Sequence, residues 1–138
     1  MAKEFFINTK TGSKDSSGTD ANIYIQLHGA NGKSSYFEDL DNPGIDDFMR
    51  GAVDTFEIST NQDIDKVVAI TLKNDNSENH PGWFCEWVEI VHGDGNSTRF
   101  PVYKWLDSSS GLIKSFNEYT EEKAAKLHKK HPKAKVHA

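Results

Sequence analysis

The chain has 138 residues and a net charge of −5, with 36% hydrophobic and 27% charged residues, which are ordinary values for one globular domain. The charge is uneven: residues 1–119 carry 10 Lys or Arg against 19 Asp or Glu, whereas residues 120–138 carry 6 Lys against 2 Glu. An acidic body argues against nucleic acid as a partner, because phosphates require a basic surface. It also argues against adhesion to anionic lipid unless cations intervene.

The chain has a single cysteine, Cys85, which excludes an intramolecular disulfide and a cysteine-based zinc site. Cys85 lies in an apolar run at 83–88, so we predict a buried, inert thiol. No apolar stretch approaches the ~20 residues that span a bilayer, and the start of the chain lacks an export signal. The sequence therefore predicts a soluble protein that is cytoplasmic or peripheral to a membrane.

Short runs in which apolar and polar residues alternate predict strands along the chain. The clearest run is 22–28, where Ile23, Ile25 and Leu27 share one face. In the run 83–92, Trp83 and Trp87 fall on the same face, and we expect both in the core. The full set in chain order is 4–9, 22–28, 34–40, 53–59, 66–73, 83–92, 98–103 and 112–116.

Eight short strands separated by loops rich in Gly, Asn, Asp, Ser and Pro predict an all-β fold, an eight-stranded antiparallel β-sandwich. We assign residues 1–118 to this domain and residues 119–138 to a basic C-terminal tail that is helical or disordered. We expect a monomer.

Three acidic, turn-rich segments are the most informative feature for function: 15–20, 41–47 and 74–79. Calcium takes six to eight oxygen ligands from carboxylates, Asn side chains and backbone carbonyls, and these segments are rich in such groups. In a sandwich, loops from different strand pairs meet at one end, so the three segments could share one or two calcium ions. The same residue types also serve in ordinary polar turns, and spacing alone does not separate the two interpretations.

Four motifs in chain order resemble the PLAT (lipoxygenase-homology) domain family. The first is the Thr11-Gly12 turn followed by GTDANIY at 18–24. The others are RGAVDTF at 50–56, PGWF at 81–84 and FPVYKWL at 100–106. The joint match runs from Phe5 to about Leu106 and implies an eight-stranded β-sandwich that helps lipid-active enzymes reach membranes, often with calcium.

The resemblance also implies calcium-binding positions in this chain. The segment 41–46 resembles the D-N-P-G-x-D loop of bacterial phospholipase toxins, with one extra residue that leaves open whether Asp46 or Asp47 binds. The positions implied as metal ligands are Ser16 and Gly18 through backbone oxygen, Thr19, Asp20, Asp41, Asn42, Gly44, Asp46, Asp47 and Asp75.

Members of the family often insert large apolar side chains into membranes, and Trp105 occupies such a position. The tips of the first and third segments are polar, which leaves room for docking to a protein instead. We therefore expect a non-enzymatic calcium-binding module whose partner is a membrane lipid surface, with a protein-interaction module as the alternative.

Enzymatic activity is the third hypothesis and has the least support. The sequence has no G-x-S-x-G nucleophile motif, no phosphate-binding loop of Walker type and no dinucleotide fingerprint. The paired carboxylates lie in polar loops that lack an apolar wall to separate their pKa values.

Overall fold

The computed structural model describes residues 3–42 and 47–118, and these form eight β-strands. The strands are β1 Lys3–Thr11, β2 Ile23–Gly29, β3 Glu38–Asp39, β4 Val53–Thr60, β5 Val67–Asn74, β6 Trp83–His92, β7 Ser97–Leu106 and β8 Ile113–Asn117. The sequence-based prediction of eight strands is confirmed, and the boundaries differ by a few residues. The predicted tail, from residue 119 onward, lies outside the described residues.

The strands form two four-stranded sheets with the orders β4-β1-β6-β7 and β3-β2-β5-β8. All pairings are antiparallel. Because successive side chains of a strand point to opposite faces, each strand contributes alternate residues to the space between the sheets. In β2 these are Ile23, Ile25 and Leu27, all fully buried as their alternation predicts. The antiparallel β-sandwich is thus confirmed.

A β-bulge in β6 corrects the prediction that Trp87 belongs to the core. Trp83 and Cys85 are fully buried, but the pairing of β6 with β1 shifts between Cys85 and Trp87, where Glu86 is the extra residue. The extra residue reverses the alternation, so Val88 points inward and Trp87 lies half-buried on the outer face. There the guanidinium of Arg99 stacks 3.9 Å from its ring centroid.

Cys85 is buried beside the bulge, as predicted. Desolvation by burial, reinforced by the negative charge of Glu86, raises the pKa of its thiol far above the ordinary value. The thiolate required of a nucleophile is therefore strongly disfavoured at neutral pH.

Within the described residues, no helix is both long and apolar enough to cross a bilayer.

The connections β1–β2, β3–β4, β5–β6 and β7–β8 all lie at one end of the sandwich, because neighbouring strands are antiparallel. We call the first three of them the first loop (residues 12–22), the second loop (40–52, of which 43–46 are not described) and the third loop (75–82). Together they contain the three acidic segments, and we call this end of the molecule the acidic pole.

Candidate cation site at the acidic pole

The first and second loops are in direct backbone contact. The amide of Thr19 donates a hydrogen bond to the carbonyl of Phe48 (3.2 Å). A Cβ atom at Gly18 would lie 2.7 Å from the same carbonyl oxygen, which is closer than real Cβ atoms approach. Glycine at position 18 therefore allows the two loops to pack against each other.

The second loop is anchored in the core by Phe48. Its ring lies edge-to-face with Trp83, 5.1 Å between centroids, and stacks on Phe56 at 5.4 Å. Trp83 is fully buried and donates a hydrogen bond from its indole nitrogen to the hydroxyl of Thr11 (3.0 Å). The second loop is thus packed through Phe48 against aromatic side chains of the core.

The third loop is joined to the first by a threonine hydroxyl and a backbone amide. The hydroxyl of Thr19 donates to the carbonyl of Pro81 (2.7 Å) and accepts from the amide of Ala21 (3.0 Å). The amide of Asp20 donates to the carbonyl of His80 (3.2 Å). The Thr19 hydroxyl is also 3.2 Å from the carbonyl of His80, so this side chain has three hydrogen-bond contacts, two of which link the first loop to the third.

A depression of about 160 Å³ lies between the first and second loops. Three of its described lining residues are aspartates, namely Asp20, Asp41 and Asp47. The others are Thr19, Ala21, Asn22, Leu40 and Phe48. None of the ion pairs among the described residues includes one of these three aspartates, so their charges are not neutralised by a neighbouring cation.

The three aspartates differ in accessibility and in their hydrogen bonds. Asp20 and Asp41 are exposed, and no hydrogen bond to either carboxylate is present within 3–42 and 47–118. Asp47 is buried and accepts two hydrogen bonds from Asn42, one from its amide (2.8 Å) and one from its side chain (3.0 Å). These bonds join residues 42 and 47, and among the described residues they occupy about two of the four acceptor positions of the carboxylate.

Asp39, which the sequence-based reasoning missed, adds a fourth negative charge near this depression. Partial desolvation, followed by the charges of Asp41 and Asp75, raises the pKa of the Asp39 carboxyl. Desolvation, followed by the charges of Asp39 and Asp75, raises the pKa of Tyr24. The signal that could have found Asp39 is its place at the end of a strand, one residue before the second loop.

The donor chemistry of the depression suits calcium, although its geometry is incomplete in the described residues. Aspartates from two loops line one depression, and a divalent cation would relieve the repulsion between their carboxylates. Among the described residues, however, no group of three or more His, Cys, Asp or Glu side chains is close enough to hold a metal ion.

The predicted ligands fall into three groups. Thr19, Asp20, Asp41 and Asp47 line the depression. Ser16, Gly18, Asn42 and Asp75 are outside its described lining, and Ser16 is exposed with a φ of 66°. Gly44 and Asp46 lie outside the described residues.

Trp105 pairs across the sheet with Phe84, and the two rings meet edge-to-face at 5.4 Å between centroids. Trp105 is half-buried on the outer face, beside the third loop residue Gly82. A more exposed apolar side chain at the acidic pole is Met49, which is 55% exposed in the second loop and was not singled out from the sequence. The membrane-anchoring role of Trp105 stays a prediction.

An antiparallel sandwich with acidic loops at one end defines a class of small interaction domains, and the comparisons with known proteins name the family. Residues 5–117 match the PLAT/LH2 domain family. The chain belongs to this family, and the resemblance inferred from its motifs is confirmed.

Similar proteins are much longer than this chain. Lipoxygenase homology domain-containing protein 1 of Mus musculus is 34% identical over 106 residues, covering 74% of this chain and 5% of that protein. Polyunsaturated fatty acid lipoxygenase ALOX15B of Rattus norvegicus is 30% identical over 121 residues, covering 82% of this chain and 17% of that protein. The chain therefore spans only a small part of the curated relatives that it matches.

Among solved structures, coral 8R-lipoxygenase is similar with a TM-score of 0.75 and 21% identity, over 94% of this chain and 21% of that chain. The description of that structure attributes calcium activation to a C2-like domain. At this identity the likeness shows the fold alone. Family and fold together support a non-catalytic module that contacts lipid membranes or other proteins.

Proposed function

We propose that this domain is a calcium-dependent membrane-docking module that uses the acidic pole. The observation that carries the proposal is the depression between the first and second loops, which Asp20, Asp41 and Asp47 line without a cationic partner among the described residues. The calcium activation named for the coral lipoxygenase with the same fold adds support.

The proposed mechanism is electrostatic. Without a cation, the carboxylates of the acidic pole repel one another and any anionic lipid surface. A bound calcium ion would supply two positive charges and an oxygen-coordinated link between loops. Asp20 and Asp41 would hold it with side-chain oxygens that form no hydrogen bonds to the described residues, and Asp47 would contribute from the closed second loop.

Two apolar side chains would then contact the lipid. Met49 is the exposed one at the pole, and neighbouring Arg50 forms an ion pair with Asp15 at the same surface. Trp105 lies near the third loop and has an indole ring, which favours the membrane–water interface. Both contacts would be shallow, because the tips of the first and third loops are polar.

Vesicle co-sedimentation tests this function. We expect the wild-type domain to pellet with phosphatidylserine vesicles in about 1 mM calcium and to remain in the supernatant with a chelator. Asp41→Asn should pellet poorly in both conditions. Glu57→Gln, which removes one carboxylate from the outer face of β4 far from the loops, should behave like wild type. Equal pelleting with calcium and with chelator would contradict the proposal.

A protein-interaction module is the second candidate, because apolar residues are also exposed away from the acidic pole. Phe6 is 47% exposed on the outer face of β1, and Tyr36 is 74% exposed before β3. Since the relatives are far longer than this chain, such a face could pack against another domain. Calcium-independent behaviour in the vesicle experiment would favour this candidate.

A further inference from the structure

We propose that Asp75 is a positioning residue that fastens the third loop to the start of β2, and that it does not bind the cation. The statement that Asp75 does not bind the cation rests on the proposed calcium function. The fastening is a property of the calcium-free protein. Asp75 thus has a different role from Asp20 and Asp41.

The carboxylate of Asp75 accepts four hydrogen bonds, three of them at one oxygen. One oxygen accepts from the amide of Asn22 (3.1 Å), the amide of Ser77 (3.0 Å) and the hydroxyl of Ser77 (2.7 Å). The other accepts from the side-chain amide of Asn22 (2.9 Å). A carboxylate oxygen offers about two acceptor positions, so the three donors on the first oxygen leave none for a metal ion there. The second oxygen retains about one position, but it is held by the Asn22 side chain, and Asp75 is absent from the described lining of the depression.

The surrounding backbone strengthens the same connection. The amide of Asp75 donates to the carbonyl of Asn22 (3.2 Å), so the two residues bond through both main chain and side chain. Although partial desolvation raises the pKa of Asp75, the hydrogen bonds from Ser77 and Asn22 together outweigh it and lower that pKa. These hydrogen bonds thus stabilise the ionised form of the carboxylate.

The position of Asn22 explains why this fastening matters for the site. Asn22 is two residues after Asp20, and both line the depression. Asp75 is absent from the described lining, although its charge is close enough to raise the pKa of Asp39. Asp75 therefore acts on the site through Asn22, by fixing the segment that presents the Asp20 carboxylate.

Two substitutions at this position separate fastening from ligation. In Asp75→Asn, the new amide oxygen can accept from the Asn22 and Ser77 amides, and the new amino group can donate to a flipped Asn22 side chain. This variant keeps the fastening and removes the charge. Asp75→Ala removes both, and Asn22→Ala is a milder variant that removes only one of the four bonds. Asp41→Asn is the comparison for loss of a ligand.

Calcium titration by calorimetry and thermal unfolding in chelator are the measurements. We expect Asp75→Asn to bind calcium within about threefold of wild type and Asp41→Asn to lose at least about tenfold. Asp75→Ala should unfold about 3–6 °C lower in chelator, and Asn22→Ala by less. Asp75→Ala should bind calcium more weakly with unchanged stoichiometry, because the fastening is lost and no ligand is removed.

The fastening by Asp75 and its exclusion from the calcium ligands are tested by different outcomes. If Asp75→Asn loses as much calcium affinity as Asp41→Asn while unfolding at the wild-type temperature, Asp75 is a ligand and the inference is overturned. If Asp75→Ala and Asn22→Ala both unfold like wild type in chelator, there is no fastening. If wild type binds no calcium at all, the proposed function fails, and the unfolding temperatures alone decide whether Asp75 fastens the loop.

Discussion

The carboxylates of the acidic pole differ in what each already binds. Asp75 accepts four hydrogen bonds, Asp47 accepts two, and Asp20 and Asp41 accept none from the described residues. Asp20 and Asp41 thus hold the oxygens that a cation can reach without breaking the fold. The sequence alone does not reveal this difference, because two of the four donors to Asp75 come from Asn22, which lies 53 positions earlier in the chain.

His28, on the outer face of β2, affects how the stability of the fold depends on pH. Its Nδ1 is 2.7 Å from the hydroxyl of Ser34 and its Nε2 is 2.8 Å from the hydroxyl of Thr71. Desolvation lowers the pKa of His28 below its ordinary 6.5. The unfolded chain therefore takes up this proton first as the pH falls.

This shift predicts that the free energy of unfolding decreases as the pH falls below about 6.5 and levels off once the folded protein is also protonated. Urea unfolding between about pH 7.5 and 5.5 should show this decrease in wild type and a smaller one in His28→Gln. An identical pH dependence in the two proteins would refute the assignment to His28.

At the scale of elements, regular strands were predictable and irregular ones were not. The alternation of Ile23, Ile25 and Leu27 sets the buried face of β2, because period-two patterning is the direct sequence signal of a half-buried strand. The bulge in β6 has no such signal, and it places Trp87 on the outer face. In β7, Tyr103 adopts a φ of 46° at the matching irregularity, and the strand continues three residues beyond the predicted end.

The packing of the first loop on the second gives a prediction at this scale. We expect Gly18→Ala to lower the free energy of unfolding by about 1–3 kcal/mol and to weaken calcium binding, because the new Cβ would meet backbone atoms of Phe48 and Arg50. Gly93→Ala is the matched control, since its Cβ would lie 3.7 Å from the nearest backbone oxygen at the opposite end of the sandwich.

Urea unfolding and calcium titration of both glycine variants would provide the comparison. A Gly18→Ala protein as stable as Gly93→Ala, with wild-type calcium affinity, would show that close packing of the two loops is unimportant for the site.

For the whole molecule, the charge distribution suits a switch that depends on a cation. Residues 1–119 are strongly acidic, and three of their aspartates share one depression at one end. The sequence predicted the family, the sandwich and the acidic segments, because motifs and alternation are local signals. It could not predict which aspartates face the depression, because that depends on contacts between loops that are distant in the chain.

Asp20 and Asp41 are the proposed calcium ligands of the acidic pole. Isothermal calcium titration of wild type, the double variant Asp20→Asn/Asp41→Asn and the control Glu57→Gln tests whether they bind the ion. We predict a dissociation constant between about 1 μM and 1 mM for wild type and the control, and at least about tenfold weaker binding for the double variant. If wild type binds no calcium at about 10 mM, or if the double variant binds it equally well, Asp20 and Asp41 are not calcium ligands.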